Sequence, residues 1–80
     1  MRLFPYNHND PEWAADEFPE DYVLRVDESR RYVGGTRVYG VALRPRELVA
    51  LVQRLNAKVN KDGTVTLFTA EGTVVVCQEL

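Results

Sequence analysis

Along four segments of the chain, hydrophobic residues either alternate with polar ones or form a short continuous run, which predicts four β-strands. In the first segment, Tyr22, Leu24 and Val26 fall on one face and Val23, Arg25 and Asp27 on the other, so one face is expected to be buried. The last segment contains an unbroken run of valines, which is typical of a central strand covered on both faces. The predicted strands comprise residues 22–27, 36–43, 64–69 and 73–78.

Glycines mark the turns expected between these strands. Gly34-Gly35 is predicted to form a two-residue hairpin turn, because glycine adopts positive φ at both central positions without steric cost. Residues 28–33 fit either a loop or a continuation of the first strand. Residues 61–63 and 70–72 are predicted as further short connections. Gly40, inside the second strand, indicates a bulge or a close approach of another chain segment.

Residues 45–57 show helical rather than strand periodicity, with apolar residues recurring every three or four positions. Pro45 at the first helical position and Glu47 in the first turn are typical of a helix N-terminus. The helix is therefore expected to pack one apolar stripe on the sheet. That stripe consists of Leu48, Leu51, Val52, Leu55 and Val59.

The first 21 residues are predicted to form an arm outside the sheet, because its prolines interrupt any long element. Asp10-Pro11-Glu12 is a favourable helix start, with Asp10 as the cap and Pro11 at the first helical position. A helix of about two turns does not persist alone in water. It must therefore dock, and Trp13 and Phe18 are the expected anchors.

These patterns together predict an α+β fold with a mostly antiparallel four-stranded sheet in the order ββαββ and one helix packed on a face. Eighty residues leave room for one domain and one core. The chain is expected to be a single domain over residues 1–80, with an extended or briefly helical N-terminal arm over 1–21 and the ββαββ core over 22–80.

Composition favours a soluble globular protein, since 45% of the residues are hydrophobic and 28% are charged. No secretion signal or membrane-spanning segment is expected, and no membrane partner. Cys77 is the only cysteine, which excludes an intramolecular disulfide and favours a cytoplasmic location.

Charge is distributed unevenly along the chain. Residues 1–28, the acidic block, contain eight acidic and two basic residues, a net charge of −6. Residues 29–61, the basic block, contain eight basic residues and one acidic residue, a net charge of +7. Either the two blocks lie against each other and neutralise, or one of them forms a charged face for a partner.

Catalytic chemistry is not expected, so we predict that the protein is not an enzyme and uses no cofactor. His8 lies in the arm and Ser29 in a separate segment, and a nucleophile needs an adjacent base. Cys77 ends a valine-rich strand and is expected to be a buried structural residue. His8, Asp10 and Glu12 alternate as metal ligands can, but they lack a fourth ligand, so no metal site is predicted.

The leading hypothesis is a protein-binding module that acts on a larger protein or complex, one that handles nucleic acid. Aromatic anchors with a charged rim are typical of interface hot spots. In size and class, the chain is similar to phage- and plasmid-encoded inhibitors of host defence complexes, anti-CRISPR proteins among them. The candidate protein-binding residues are Asp10, Glu12, Trp13, Asp16, Glu17, Phe18, Glu20 and Asp21.

Two alternatives stay open. Arginines neutralise phosphates and tyrosine rings stack on bases, so an arginine-rich hairpin can bind nucleic acid directly. The second alternative is a homodimer formed through an exposed edge of the last hairpin, so the state is monomer or homodimer. The candidate nucleic-acid-binding residues are Arg25, Arg30, Arg31, Tyr32, Arg37 and Tyr39, with Arg25 and Arg37 expected on one sheet face.

Overall fold

The computed structural model describes residues 1–30 and 34–80. This part of the chain forms one antiparallel sheet of six strands and two helices, so the α+β class is confirmed, whereas the four-stranded ββαββ arrangement is not. The elements are β1 (Arg2–Phe4), α1 (Trp13–Glu17), β2 (Tyr22–Arg30), β3 (Thr36–Leu43), α2 (Pro45–Arg54), β4 (Asn56–Val59), β5 (Val65–Phe68) and β6 (Thr73–Glu79).

The strands lie in the order β1-β3-β2-β6-β5-β4. The valine-rich strand β6 is hydrogen-bonded to β2 on one side and to β5 on the other, which confirms its central position. The predicted exposed edge of the last hairpin is wrong, because both of its strands, β5 and β6, are interior to the sheet. The edges belong to β1 and β4.

The two strands that the sequence patterns did not predict lie at these edges. The arm is not outside the sheet throughout, because Arg2 pairs with Ala42 and Phe4 with Gly40 in the β1–β3 ladder. At the other edge, α2 ends at Arg54 and the chain becomes extended at Leu55, with φ −120° and ψ 149°. The predicted helix over 45–57 therefore ends early, and β4 follows at once.

The β2–β3 hairpin is confirmed, but its predicted two-residue turn is wrong. A turn at Gly34-Gly35 places Thr36 opposite residue 33, whereas the ladder pairs Thr36 with Ser29. Both glycines do adopt positive φ, 70° and 80°. The strand β2 continues to Arg30, as one of the two alternatives predicted; its further extension through Tyr32 and Val33 lies outside the described residues.

The β4–β5 and β5–β6 turns are confirmed and share one geometry. The N–H of Gly63 donates to the Asn60 carbonyl at 3.1 Å, and the N–H of Gly72 donates to the Thr69 carbonyl at 3.1 Å. Both glycines have positive φ, 86° and 82°. A three-residue loop that ends in a left-handed residue favours glycine at that position. These two turns fix the register of the last three strands.

One face of the sheet, the α2 face, carries the larger core cluster, centred on Val26, Val41, Leu43, Leu67 and Cys77. Helix α2 packs on it through Leu48, Leu51 and Leu55, as predicted. Val52 and Val59 were also expected in the apolar stripe, but their side chains are 46% and 76% exposed. Within the described chain, no helix is long and apolar enough to cross a membrane.

The opposite face, the arm face, carries a second cluster, so β2 does not have a single buried face. Val23, which alternates out of phase with Val26, is 4% exposed and packs against the arm. Tyr22 was expected to be buried and is 43% exposed. Val74 and Val76 lie on this face of β6, are half-buried and belong to neither cluster of the described residues, so the fully buried residue of β6 is Cys77 on the α2 face.

Candidate protein-interaction surface

An aromatic cluster attaches the N-terminal segment to the arm face of the sheet. The ring of Phe4 lies between Trp13, at 5.5 Å in an edge-on contact, and Phe18, at 5.7 Å in a stacked one. Ala14, 1% exposed, is enclosed in the same cluster. Docking through Trp13 and Phe18 is therefore confirmed. Both rings are half-buried against the protein's own core, so they position the segment rather than extend into solvent.

Gly40 is required for this docking. A Cβ atom at Gly40 would overlap Cε2 and Cζ of Phe4, closer than real Cβ contacts come. The residue lies in β3 directly opposite Phe4 in the β1–β3 ladder. The close approach predicted from this glycine is therefore confirmed, and the approaching group is an aromatic ring of the arm.

Helix α1 begins later than the sequence predicted. Its N-cap is Glu12, without a side-chain capping hydrogen bond, so Asp10 and Pro11 do not occupy the expected cap and first helical positions. The carbonyl of Asp10 instead accepts a 3.4 Å hydrogen bond from the N–H of Trp13. Five residues leave room for little more than one turn. The helix depends on the aromatic cluster beneath it rather than on local signals.

The acidic side chains of this segment form its outer surface. Five of the six are exposed, and within residues 1–30 and 34–80 none of these five forms an ion pair. Two of them, Asp16 and Glu17, lie on the short helix, while Phe18 between the helix and Glu20 points to the cluster. We name these five carboxylates the acidic surface: Asp10, Glu12, Asp16, Glu17 and Glu20.

Asp21 differs from the other carboxylates of the segment. Its side chain is only 4% exposed and forms an ion pair with Arg2 of β1. The guanidinium of Arg2 also lies 4.8 Å from the ring centre of Phe18. The ion pair of Asp21 with Arg2 thus attaches the end of the segment to the edge strand β1. Asp21 is therefore less accessible to a partner than Glu20 is.

The arginines of the β2–β3 hairpin do not form the expected single stripe. Arg25 pairs with Gly40 in the ladder and lies on the arm face, whereas Arg37 pairs with Glu28 and lies on the α2 face. The prediction that Arg25 and Arg37 share one face is therefore wrong, because their register positions differ in parity. Arg31 and Tyr32 lie outside the described residues.

Glu28 organises the α2-face side of this hairpin. Its carboxylate accepts hydrogen bonds from the Tyr39 hydroxyl, at 2.9 Å, and from Nε of Arg30, at 3.3 Å. The guanidinium of Arg37 lies 4.8 Å from the Tyr39 ring centre. Partial burial, and then the hydrogen bond to Glu28, raise the pKa of Tyr39 to about 12. The tyrosine ring is therefore already in contact with an arginine and a carboxylate.

Arg25 is held in a similar way on the arm face. Its Nε donates to Asp27 at 3.1 Å, and its guanidinium lies 4.8 Å from the ring centre of Tyr6. Tyr6 in turn meets the imidazole of His8 edge-on at 4.7 Å. Arg25 thus links the sheet to the arm through the ring of Tyr6 rather than through a carboxylate of the arm. The wide sequence separation of the two residues left no local signal for this contact.

The two charge blocks make little direct contact. In the described part of the chain a single side-chain ion pair, Arg30–Glu28, joins them. The pairs Arg2–Asp21 and Arg25–Asp27 both lie inside the acidic block. The amino terminus also pairs with Glu47, which lowers the pKa of that carboxyl. Direct pairing between the blocks therefore leaves the acidic surface uncompensated.

The residues considered for catalysis each have a separate structural role. Ser29 shares a 3.4 Å hydrogen bond with Thr36 across the hairpin. Cys77 is buried in the α2-face cluster, as predicted, and burial raises the pKa of its thiol. Among residues 1–30 and 34–80, no three His, Cys, Asp or Glu side chains lie close enough together to hold a metal ion.

No protein-family model, no curated protein and no solved structure matches this chain. Its candidate function therefore rests on the geometry of its own surfaces.

Proposed function

We propose that this protein is a non-enzymatic binding module that presents the acidic surface to a basic region of a larger protein. The observation that carries this proposal is the state of its five carboxylates. They are exposed and without ion pairs within the described chain, and they belong to a segment fastened to the sheet. Charges fixed on a docked element lose less conformational freedom on binding than charges on a loose tail.

The partner's chemistry follows from that of the surface. Carboxylates in a row complement lysine and arginine side chains, and complementary potentials raise the rate and specificity of association. A groove that normally binds nucleic acid is lined by such cations. We therefore propose a nucleic-acid-handling protein or complex as the partner and occupation of its basic groove as the inhibitory or accessory action.

The proposal assigns different parts to the candidate residues. The acidic surface contacts the partner, while Trp13 and Phe18 hold the segment in place through their contacts with Phe4. Asp21 contributes through its ion pair with Arg2 rather than through the partner. The side chain of Trp13 is only half-buried, so its exposed part is accessible to the partner.

Direct binding of nucleic acid through the hairpin is the weaker proposal. Arg30 and Arg37 lie on one face, where Arg30 donates to Glu28 and Arg37 stacks on the Tyr39 ring, which itself donates to Glu28; Arg25 lies on the other face. A phosphate at this site meets a carboxylate as well as the arginines. Arg30 is still 63% exposed at its side chain, so this alternative is included in the test.

The test is affinity capture from a lysate of the native host, with and without nuclease, read by mass spectrometry. The unmodified protein is compared with Asp16→Asn/Glu17→Gln and with a control of equal charge change, Glu71→Gln/Glu79→Gln, at two other exposed carboxylates. We expect one basic protein to survive nuclease, to be lost with the first variant and to be kept with the control. Circular dichroism checks that both variants are folded.

Equal loss with both variants contradicts the proposal, because it shows that net charge alone governs capture. Recovery of many proteins that disappears with nuclease supports the hairpin alternative instead. In that case binding of a single-stranded oligonucleotide must weaken steeply with added salt and must weaken further in Arg37→Gln.

A further inference from the structure

Strand β4 is an open edge of the sheet. It follows α2 after a single residue and pairs with β5 on one side only. All four of its side chains are exposed. Free edge strands attract further strands, and proteins commonly limit this pairing by proline, by short length, by charged side chains such as Lys58 in β4, which disfavour strands of like charge, or by a covering element. The four residues of β4 contain no proline, and in the described chain no strand or helix lies beyond it.

The hydrogen bonds of the neighbouring turn identify which backbone groups are free. The N–H of Asn60 donates to the Thr64 carbonyl at 2.8 Å, so this position is bonded toward β5. In an antiparallel ladder, bonded and non-bonded positions alternate along a strand. Lys58 and Asn56 therefore also bond toward β5. Ala57 and Val59 direct their N–H and C=O groups outward, two donors and two acceptors spaced for another strand.

Basic side chains flank this edge, and within the strand a basic and an apolar side chain lie on opposite faces. Lys58 lies on the arm face of the sheet, and Val59, 76% exposed, lies on the α2 face next to Val65. Arg54 precedes the strand and Lys61 follows it, and both are exposed. The adjacent carboxylate, Asp62, is occupied by the N–H and hydroxyl of Thr64, at 3.0 and 2.6 Å.

We propose that β4 accepts an extended acidic segment of another protein as a seventh strand of the sheet. The backbone of Ala57 and Val59 supplies the ladder hydrogen bonds. The incoming strand alternates acidic residues on the side of Lys58 with apolar residues on the side of Val59. This is recognition by strand addition, in which main-chain bonds give affinity and alternate side chains give selectivity.

The positive charge around β4 favours an acidic strand over a second copy of β4 as the added strand. Within the described chain, Arg54, Lys58 and Lys61 form no ion pairs. Two copies paired about a twofold axis bring two such cationic edges together, and like charges on opposed strands are destabilising. An acidic strand gains from the same charges. The other edge is less suited, since β1 has three residues and Pro5, directly after it, lacks an N–H.

The β4 edge is separate from the acidic surface of the proposed function, so the two proposals can be contradicted independently of each other. One concerns carboxylates of residues 10–20 that bind a basic protein, and the other concerns backbone groups of residues 57–59 that bind an acidic strand. A variant that disrupts one surface leaves the other unchanged.

The first experiment uses the full chain labelled with ¹⁵N and a capped peptide of alternating glutamate and valine. Amide hydrogen exchange is measured with and without the peptide. We expect the amides of Ala57 and Val59 to exchange fast in the free protein and at least tenfold slower with the peptide. The amide of Lys58 is expected to be protected in both states. A peptide of alternating lysine and valine is the matched control and is expected to leave all three unchanged.

The second experiment substitutes the edge. Ala57→Pro removes an outward N–H while leaving the bonds to β5, and we expect about fivefold or greater weakening of peptide binding by fluorescence anisotropy. Lys58→Gln is expected to weaken it about threefold at low salt. If Ala57→Pro does not fold, a peptide N-methylated at alternate residues replaces it and is expected to lose binding to the same extent.

Three results overturn the proposal: equal binding of the lysine peptide, binding insensitive to both Ala57→Pro and N-methylation, or uniform protection of the β4 amides. Protection of Ala57 and Val59 that rises with protein concentration in the absence of peptide also overturns it. That result assigns the edge to a second copy of this chain.

Discussion

The acidic N-terminal segment and the arginine-rich hairpin both concentrate charged side chains, of opposite sign, yet the fold treats them differently. Carboxylates of the segment, such as Asp16 and Glu17, are exposed without ion pairs in the described chain. The described arginines of the hairpin are engaged by internal carboxylates or tyrosine rings, as Arg30 is by Glu28. A count of charges along a sequence therefore does not measure how much charge a surface presents.

The largest loss in the free energy of unfolding is expected from a substitution that displaces the N-terminal segment from the sheet. Gly40→Ala places a methyl group in steric overlap with the Phe4 ring, and overpacking of this kind lowers the free energy of unfolding by about 3 kcal/mol. Urea unfolding followed by the fluorescence of Trp13, the only tryptophan, measures the loss. In a Phe4→Leu background the same substitution is expected to cost much less, because the crowding ring is gone.

The control for Gly40→Ala is Gly63→Ala. Gly63 has positive φ and nothing within 4 Å of an added Cβ, so only backbone strain is expected there, at about 1 kcal/mol. If the two substitutions cost the same, the close approach of Phe4 is not what requires glycine at position 40.

The next effect concerns the ion pair that fastens the segment. Asp21→Asn removes the charge that faces Arg2, and since the Asp21 side chain is 4% exposed, we expect a loss of about 1.5 kcal/mol in the free energy of unfolding. Its neighbour Glu20 is exposed and unpaired in the described chain, so Glu20→Gln is expected to change stability by less than about 0.5 kcal/mol. Comparable losses in both variants contradict the distinction drawn between these two carboxylates.

On the hairpin side, the ionisation of Tyr39 tests the hydrogen bond to Glu28. The difference in phenolate absorbance between the unmodified protein and Tyr39→Phe is expected to titrate near pH 12. Because the pKa of Tyr39 is higher in the folded than in the unfolded protein, the protonated phenol stabilises the fold fully below the unfolded pKa of about 10. This stabilisation is lost as the pH rises toward 12. A difference spectrum with a midpoint near 10 contradicts this contact. Glu28→Gln is expected to lower the midpoint.

The smallest effect is expected at the contact between the two regions. Arg25→Gln removes the pair with Asp27 and the contact with the Tyr6 ring, both partly exposed, and we expect a loss of about 1 kcal/mol or less. Arg46→Gln, at an exposed position of α2, serves as the control. The resonances of Tyr6 and His8 are expected to shift only in the Arg25 variant. Unchanged resonances there contradict a role for Arg25 in holding the arm.

Local patterns determined much of this protein. Alternation predicted β2 and β5, short apolar stretches bounded by turn residues predicted β3 and β6, and helical periodicity predicted α2, because burial of apolar side chains imposes these patterns on the sequences that form such elements. Glycine at positions 63 and 72 predicted the two matching turns, since a left-handed residue disfavours other side chains. The single glycine inside β3 indicated a close approach without revealing what approaches.

Only the tertiary structure decided the edges of the sheet, the second cluster and the state of the charges. The strand β1 has only three residues, and β4 begins within the residues that helical periodicity assigned to the predicted helix; both strands exist because a neighbouring strand supplies their hydrogen bonds. Phe4, Trp13 and Phe18 meet because the chain folds back on β3. Ion pairs such as Arg2–Asp21 depend on distances through space that separation along the chain does not report.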